Sequence, residues 1–248
     1  QDHKVFSEAR KGFSKLSQED ARKVVREVST IRTSASLPNL EHHAVETIQG
    51  DDLKMIRGFF RSKNSYPLAS VIYVPTNPKK RPVLMLTGDG VKVGHERALQ
   101  LGKAGHTVVS VEVSCTGETR GSRFSEQYGN WKTFYMAYLL GRSLVAIRAE
   151  DVLKLAVGLG RVDFVRKDTK VDVIATGDAA VPVLHAVALE PDLFGQLEIS
   201  DRRTSWGAML KESQPKRCFE DVIHGALKVY DLPDLERLCG KKLLSENK

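Results

Sequence analysis

No apolar run in this chain approaches the roughly 20 residues that a membrane-spanning helix needs, so the sequence predicts no transmembrane helix. Cysteine is scarce. Cys115, Cys218 and Cys239 have no metal-ligand spacing and cannot all pair, which predicts free thiols or small buried apolar groups. His42, His43 and His185 likewise lack partners at metal spacing, so neither a metal centre nor a cofactor is expected. The N-terminal residues Gln1-Asp2-His3-Lys4 are polar, lack Met and carry no signal-peptide pattern. This start predicts a chain processed or cut from something longer and leaves its compartment open. Internal repeats and low-complexity tracts are absent. The net charge is +7, from 38 Lys and Arg against 31 Asp and Glu. Its local clusters, Lys79-Lys80-Arg81, Arg202-Arg203 and Lys241-Lys242, have no interleaved aromatics. They read as solvated basic surface rather than a nucleic-acid footprint.

What is present is a globular composition, 41% apolar and 28% charged, in 248 residues. That is enough chain to bury a sizeable core. Residues 5–31 read as a helical arm. Ser17-Gln18-Glu19-Asp20 resembles a capping box, and Val24, Val25, Val28 and Ile31 follow at helical spacing. Thr33-Ser34-Ala35-Ser36-Leu37-Pro38-Asn39 reads as a linker. The expected division is therefore an arm and linker over 1–38 and one domain over 39–248. Strand-like runs at 43–49, 53–61 and 68–74, separated by polar turns, predict antiparallel hairpins.

Beyond residue 80 the pattern alternates: strands at 82–86, 106–113, 171–176 and 193–199, helices at 91–103, 139–159 and 179–189. Such alternation predicts parallel strands with helices on both faces. After residue 200 the strand signal fades, and 204–212, 219–227 and 233–238 read as helical. Leu243-Leu244 and the residues behind them look like the start of one more strand.

One stretch carries most of the functional signal. Val171-Asp172-Val173-Ile174-Ala175-Thr176-Gly177-Asp178-Ala179-Ala180 runs from a buried strand through a tight turn into a helix. That is the layout of a G-x-S-x-G nucleophile elbow with Ala179 at the nucleophile position. A methyl group has no lone pair, so Ala179 cannot attack an ester. Three further stretches accompany it. Leu84-Met85-Leu86-Thr87-Gly88-Asp89-Gly90 has the form of a strand and an H-G-x-G oxyanion turn, with Thr87 for histidine. Val111-Glu112-Val113-Ser114-Cys115-Thr116-Gly117-Glu118-Thr119 stands where a D-x-R-G-x-G-x-S strand would be. Leu139-Leu140-Gly141-Arg142-Ser143-Leu144-Val145-Ala146-Ile147-Arg148-Ala149-Glu150-Asp151 is close to L-L-G-R-S-L-x-G-M-R-x-x-D.

On these four motifs, spread over residues 40–240, the chain resembles the acetyl xylan esterase branch of the α/β-hydrolases, a kind common in multidomain bacterial carbohydrate esterases. The resemblance implies an α/β fold: a mainly parallel twisted sheet with helices on both faces and antiparallel N-terminal strands, truncated at its C-terminal end. It implies a degenerate copy beside an intact one, without a cofactor, and Arg148 and Asp151 as structural contacts of the long helix.

The candidate chemistry divides in two. Asp178 could replace the missing serine, as in hydrolases with an aspartate nucleophile such as dehalogenases, or it is the turn's ordinary variable residue or a helix cap. Asp201 and His224 follow Ala179 in the order acid, histidine, but His224 falls in an apparently helical stretch that suits a packing role better. Gly88, Asp89 and the Ala180 amide could bind an acyl oxygen, a sugar hydroxyl or a phosphate, the last opposed by the charge of Asp89, or form only a tight turn. Trp131, Phe134, Tyr135 and Tyr138 make an aromatic face, read as packing before a sugar platform. Two functions stay open: a non-catalytic domain with a structural or carbohydrate/ester-binding role beside a companion hydrolase domain or in a homodimer, and an acetyl esterase using Asp178 or a partner's residues.

Overall fold

The computed structural model describes residues 10–63, 65–121, 130–162, 165, 170–216 and 218–244. Helix α1 (Gln18–Ser29) starts where Ser17 Oγ accepts the Asp20 amide at 3.1 Å, and stops at Thr30 with φ of 58°. Its Ala21 and Val25 are buried in the same apolar cluster as the sheet. Residues 5–9 of the predicted arm lie outside the described residues.

Among the described residues, seven strands form one mixed sheet in the order β1-β2-β3-β5-β4-β6-β7. The hairpin strands β1 (Glu41–Gln49), β2 (Leu53–Arg61) and β3 (Leu68–Pro75) are antiparallel, and β3 joins β5 (Val108–Val111) in the same sense. From there β5, β4 (Val83–Thr87), β6 (Val171–Thr176) and β7 (Phe194–Ser200) are parallel. Because successive strand residues point to opposite faces, Leu84 and Leu86 enter one cluster while Val83 and Met85 enter the other. The larger cluster packs α1, α4 (Leu144–Leu159) and α5 (Ala180–Leu189) on one face. The smaller one holds α2 (His95–Lys103) on the other. Beside β7, Leu243 pairs in parallel with Leu197, and the Leu244 amide donates to the Leu197 carbonyl at 2.8 Å. The incipient strand seen in the sequence thus begins there, and residues 245–248 lie outside the described residues.

Four helix expectations change. The run read as one helix over 139–159 is helical from Leu144 as α4, and its first residue ends a separate helix, α3 (Trp131–Leu139), because Gly141 adopts φ of 69° and Ser143 restarts the chain by capping the Ala146 amide at 3.0 Å. The helix predicted from residue 91 starts at His95, since residues 88–94 form turns that carry Gly88 and Gly90. The stretch 204–212 shortens to α6 (Trp206–Met209). The described part of 219–227 is turn, with only a single 3-10 turn at Ala226–Lys228, so His224 is not on a helix. Helix α7 (Leu232–Cys239) follows, opened by an Asp231–Asp234 capping box. No helix of the described residues is long and apolar enough to cross a membrane.

Candidate functional site

The turn behind β6 is where an α/β-hydrolase carries its nucleophile. Here it is a 3-10 turn, Gly177–Ala179, running directly into α5. The motif's spacing puts Ala179 at the nucleophile position, and the backbone puts the left-handed bend two residues earlier. Gly177 has φ of 60°, whereas Ala179 is in relaxed right-handed helical geometry (φ −87°, ψ −17°) and buried. In neither register does a nucleophilic side chain stand at the position: Gly177 has none, and Ala179 offers a methyl group.

Asp178, between them, is 1% exposed. Its carboxylate accepts from Arg120 Nη2 at 2.5 Å, and its backbone carbonyl accepts from Arg148 Nη1 at 3.5 Å. Arg120 also bonds the Gly88 carbonyl and pairs with Asp89 at 3.0 Å. One guanidinium therefore ties the oxyanion-type turn to the elbow. Placed between two acids, it offsets the anionic charge that Asp89 and Asp178 would otherwise bring together. The approach is tight. A Cβ on Gly88 would lie 2.5 Å from the Asp178 amide nitrogen, so only glycine fits at that position.

Of the Gly88, Asp89 and Ala180 group expected to form an oxyanion hole, the Gly88 and Ala180 amides are donated within the chain, as is that of neighbouring Gly90. Gly88 N–H goes to the Thr176 carbonyl at 3.1 Å, Gly90 N–H to the Thr87 carbonyl at 3.2 Å, and Ala180 N–H to the Gly177 carbonyl. Behind this turn Glu112, 2% exposed, accepts from the Val91 amide at 3.2 Å and the Glu118 amide at 2.8 Å. Gly117 must be glycine, because a Cβ there would fall on that carboxylate.

Arg148 and Asp151 of α4 converge on one turn. Arg148 is fully buried and donates to the Ser114 and Cys115 carbonyls, both at 3.0 Å. Asp151 accepts the Ser114 amide at 3.0 Å and pairs with Lys154 at 2.5 Å. Cys115 sits in this turn with φ of 60°. Burial pushes its thiol pKa up, Arg148 pulls it down, and the net shift is upward. It is thus a weaker nucleophile than a free cysteine.

The remaining sequence candidates lie elsewhere. Asp201 is exposed behind β7 with φ of 45°, and His224 is exposed with its ring edge-on to Tyr138 at 5.7 Å. Phe134 packs against Phe219 at 5.0 Å, while Tyr135 meets Trp131 and Phe134 edge to face, so the aromatic face is packed in part. The described residues hold no cluster of three or more His, Cys, Asp or Glu side chains placed to bind a metal. Sequence reasoning missed Arg120 and the holding role of Glu112. No local spacing announces Arg120, whose partner is 58 residues away.

No protein-family model matches this sequence, and no curated protein matches it. Solved structures do. A protein of Bacteroides fragilis described as an acetyl xylan esterase superposes with a TM-score of 0.71 at 14% identity, covering 92% of this chain and 67% of its own. Acetyl xylan esterase 1 from Thermoanaerobacterium sp. gives 0.54 at 14% identity, over 88% of this chain and 74% of its own. A glucuronoyl esterase from Teredinibacter turnerae gives 0.55 at 15% identity, over 92% and 68%. The chain has an α/β-hydrolase fold. Within that class its shape resembles the acetyl xylan esterase branch.

Proposed function

We propose that this chain is a non-catalytic α/β-hydrolase-fold domain, similar in shape to acetyl xylan esterases, with a structural role beside a catalytic hydrolase domain or a second copy of itself. The observation that carries the reading is the Arg120 bridge. Where an esterase needs a free nucleophile and free amide donors, Asp178 is buried against a cation and the amides of Gly88, Gly90 and Ala180 are already donated. A carboxylate held in that way is a poorer nucleophile, because the guanidinium stabilises its negative charge and occupies one of its oxygens.

Hydrolysis of 4-nitrophenyl acetate by the purified chain, run beside Asp178→Asn, tests this. Rates equal to buffer for both proteins are expected. Turnover lost in Asp178→Asn would make the chain an acetyl esterase with an aspartate nucleophile. Turnover kept in that variant would equally end the non-catalytic reading and move the chemistry to other residues.

A further inference from the structure

A cleft of about 700 Å³ lies over β1–β3 beside the start of α2. That volume falls within the roughly 300–1,000 Å³ of small-molecule sites. It is separate from the elbow: none of Arg120, Arg148 or Asp178 lines it. Its floor is apolar, built from Met55 and Val71 on the sheet face that carries α2. Its outer wall comes from β1, where Val45 bulges out of register with β2 and Ile48 follows. These two are 74% and 39% exposed, unusual for large apolar side chains on an edge strand that no other strand covers.

Polar groups are interleaved with this floor, Tyr73 opposite Met55 and Arg57 opposite Val71, while Lys92 and His95 come from the start of α2 and the turn before it. Tyr73, 1% exposed, has its hydroxyl 2.8 Å from His95 Nδ1. Burial raises the phenol's pKa against the pull of Arg57, so the hydroxyl keeps its proton within hydrogen-bond distance of Nδ1. His95 lines the cleft beside that hydroxyl. Lys92 and Arg57 line the same cleft, against one acidic lining residue, Glu118. Arg57 shares its charge with Glu46 at 3.0 Å, while Lys92 has no ion-pair partner among the described residues. The lining thus pairs an apolar trough with an excess of cationic hydrogen-bond donors, Lys92 among them beside the start of α2.

We propose that this cleft binds an amphipathic carboxylate, its alkyl or aryl body on Met55, Val71 and Ile48 and its anionic head between His95 and Lys92. The apolar body supplies affinity through burial, and the donors select an acceptor head over a bare hydrocarbon. The site needs no catalytic group and does not depend on whether the elbow is active.

Calorimetric titration of the full chain with decanoate, and separately with decanol, tests the assignment. Decanoate should bind at least tenfold more tightly than decanol. Val71→Trp, which fills the trough, should weaken decanoate at least tenfold with an unchanged circular dichroism spectrum. Lys92→Glu, an exposed change that spares the fold, should weaken decanoate at least fivefold and leave decanol unchanged. Leu139→Ser, in the exposed apolar stretch at the end of α3, should alter neither. Absence of heat at millimolar decanoate, equal affinity for decanol, or binding sensitive to Leu139→Ser but not to Lys92→Glu would overturn it.

Discussion

Two regions of this molecule have opposite fates. At the ends of the parallel strands, where an α/β-hydrolase concentrates its chemistry, side chains fill the space: Arg120 spans Gly88, Asp89 and Asp178, while Arg148 and Glu112 hold the turns behind it. Over the antiparallel strands, where the fold prescribes nothing, a cleft stays open with Val45 and Ile48 at its edge. A catalytic site must leave polar groups underused so that substrate can use them, and that is costly in a protein interior. The elbow end pairs those groups within the chain, which on the proposed reading serves stability. The cleft keeps Lys92 and His95 available and so suits recognition. Substitutions at the elbow end should therefore cost folding energy, and those at the cleft should cost binding alone.

The sharpest contrast is Arg148→Ala. The side chain is fully buried, and its loss leaves the Ser114, Cys115 and Asp178 carbonyls without their donor and a void under the turn. A loss of about 3–5 kcal/mol is expected from unmet buried acceptors and lost packing. The urea midpoint should fall steeply with an unchanged slope. A loss below about 1 kcal/mol would break the comparison, because the elbow end would then carry no more stability than an ordinary surface.

Second in size is an acid sensitivity located in the helix behind the elbow. His185 of α5 is fully buried, with Nδ1 donating to the Val181 carbonyl at 2.8 Å and Nε2 accepting from Tyr230 at 3.1 Å. Burial lowers its pKa to about 4, against a smaller raising effect of the Val181 bond. The folded value lies below the ordinary 6.5, so the unfolded chain binds the proton more readily. The stability from keeping His185 neutral is complete above about pH 6.5 and is lost as pH falls towards 4, a change of about 3 kcal/mol across the window. Glu150 acts in the same direction at lower pH. Burial alone would raise its pKa, but hydrogen bonds from Arg32 and Arg142 outweigh that and hold it below 4.5. Comparing urea midpoints at pH 7 and 4.5 for the native chain and His185→Gln isolates the histidine. The variant should be less stable at pH 7 and flatter with pH, and equal slopes would refute the assignment.

Much of this frame was legible in the sequence, and the reason differs by element. β2 and β6 were readable to the residue because alternating or continuous apolar runs ended at Gly, Asn or Asp turns. The joint between α3 and α4 was not, because apolar spacing runs straight through Gly141-Arg142-Ser143 and only the backbone reversal at Gly141 breaks the helix. The elbow was legible as strand, turn and helix, but not the residue that bends: small side chains at 175, 177, 179 and 180 fit two registers, and only φ at Gly177 separates them. Arg120 and the cleft left no local pattern, since one depends on a pairing across 58 residues and the other on which sheet face stays uncovered.

The smallest effect, and the finest test of the contrast, sets two arginines against each other. Arg120 is 14% exposed and paired at 2.5 Å with a carboxylate 1% exposed, whereas Arg57 at the cleft is 58% exposed and paired with Glu46, itself 52% exposed. Arg120→Ala leaves Asp178 buried without that cation. The expected loss is about 2 kcal/mol, short of the about 3–5 kcal/mol for a wholly buried pair because water can enter the vacated space. Arg57→Ala should cost no more than about 1 kcal/mol, as exposed ion pairs do. Thermal midpoints at pH 7 measure both. Equal small losses would mean that the Arg120 bridge is a surface pair in energy if not in position. The elbow would then be free to open, and the non-catalytic reading would lose its main physical support.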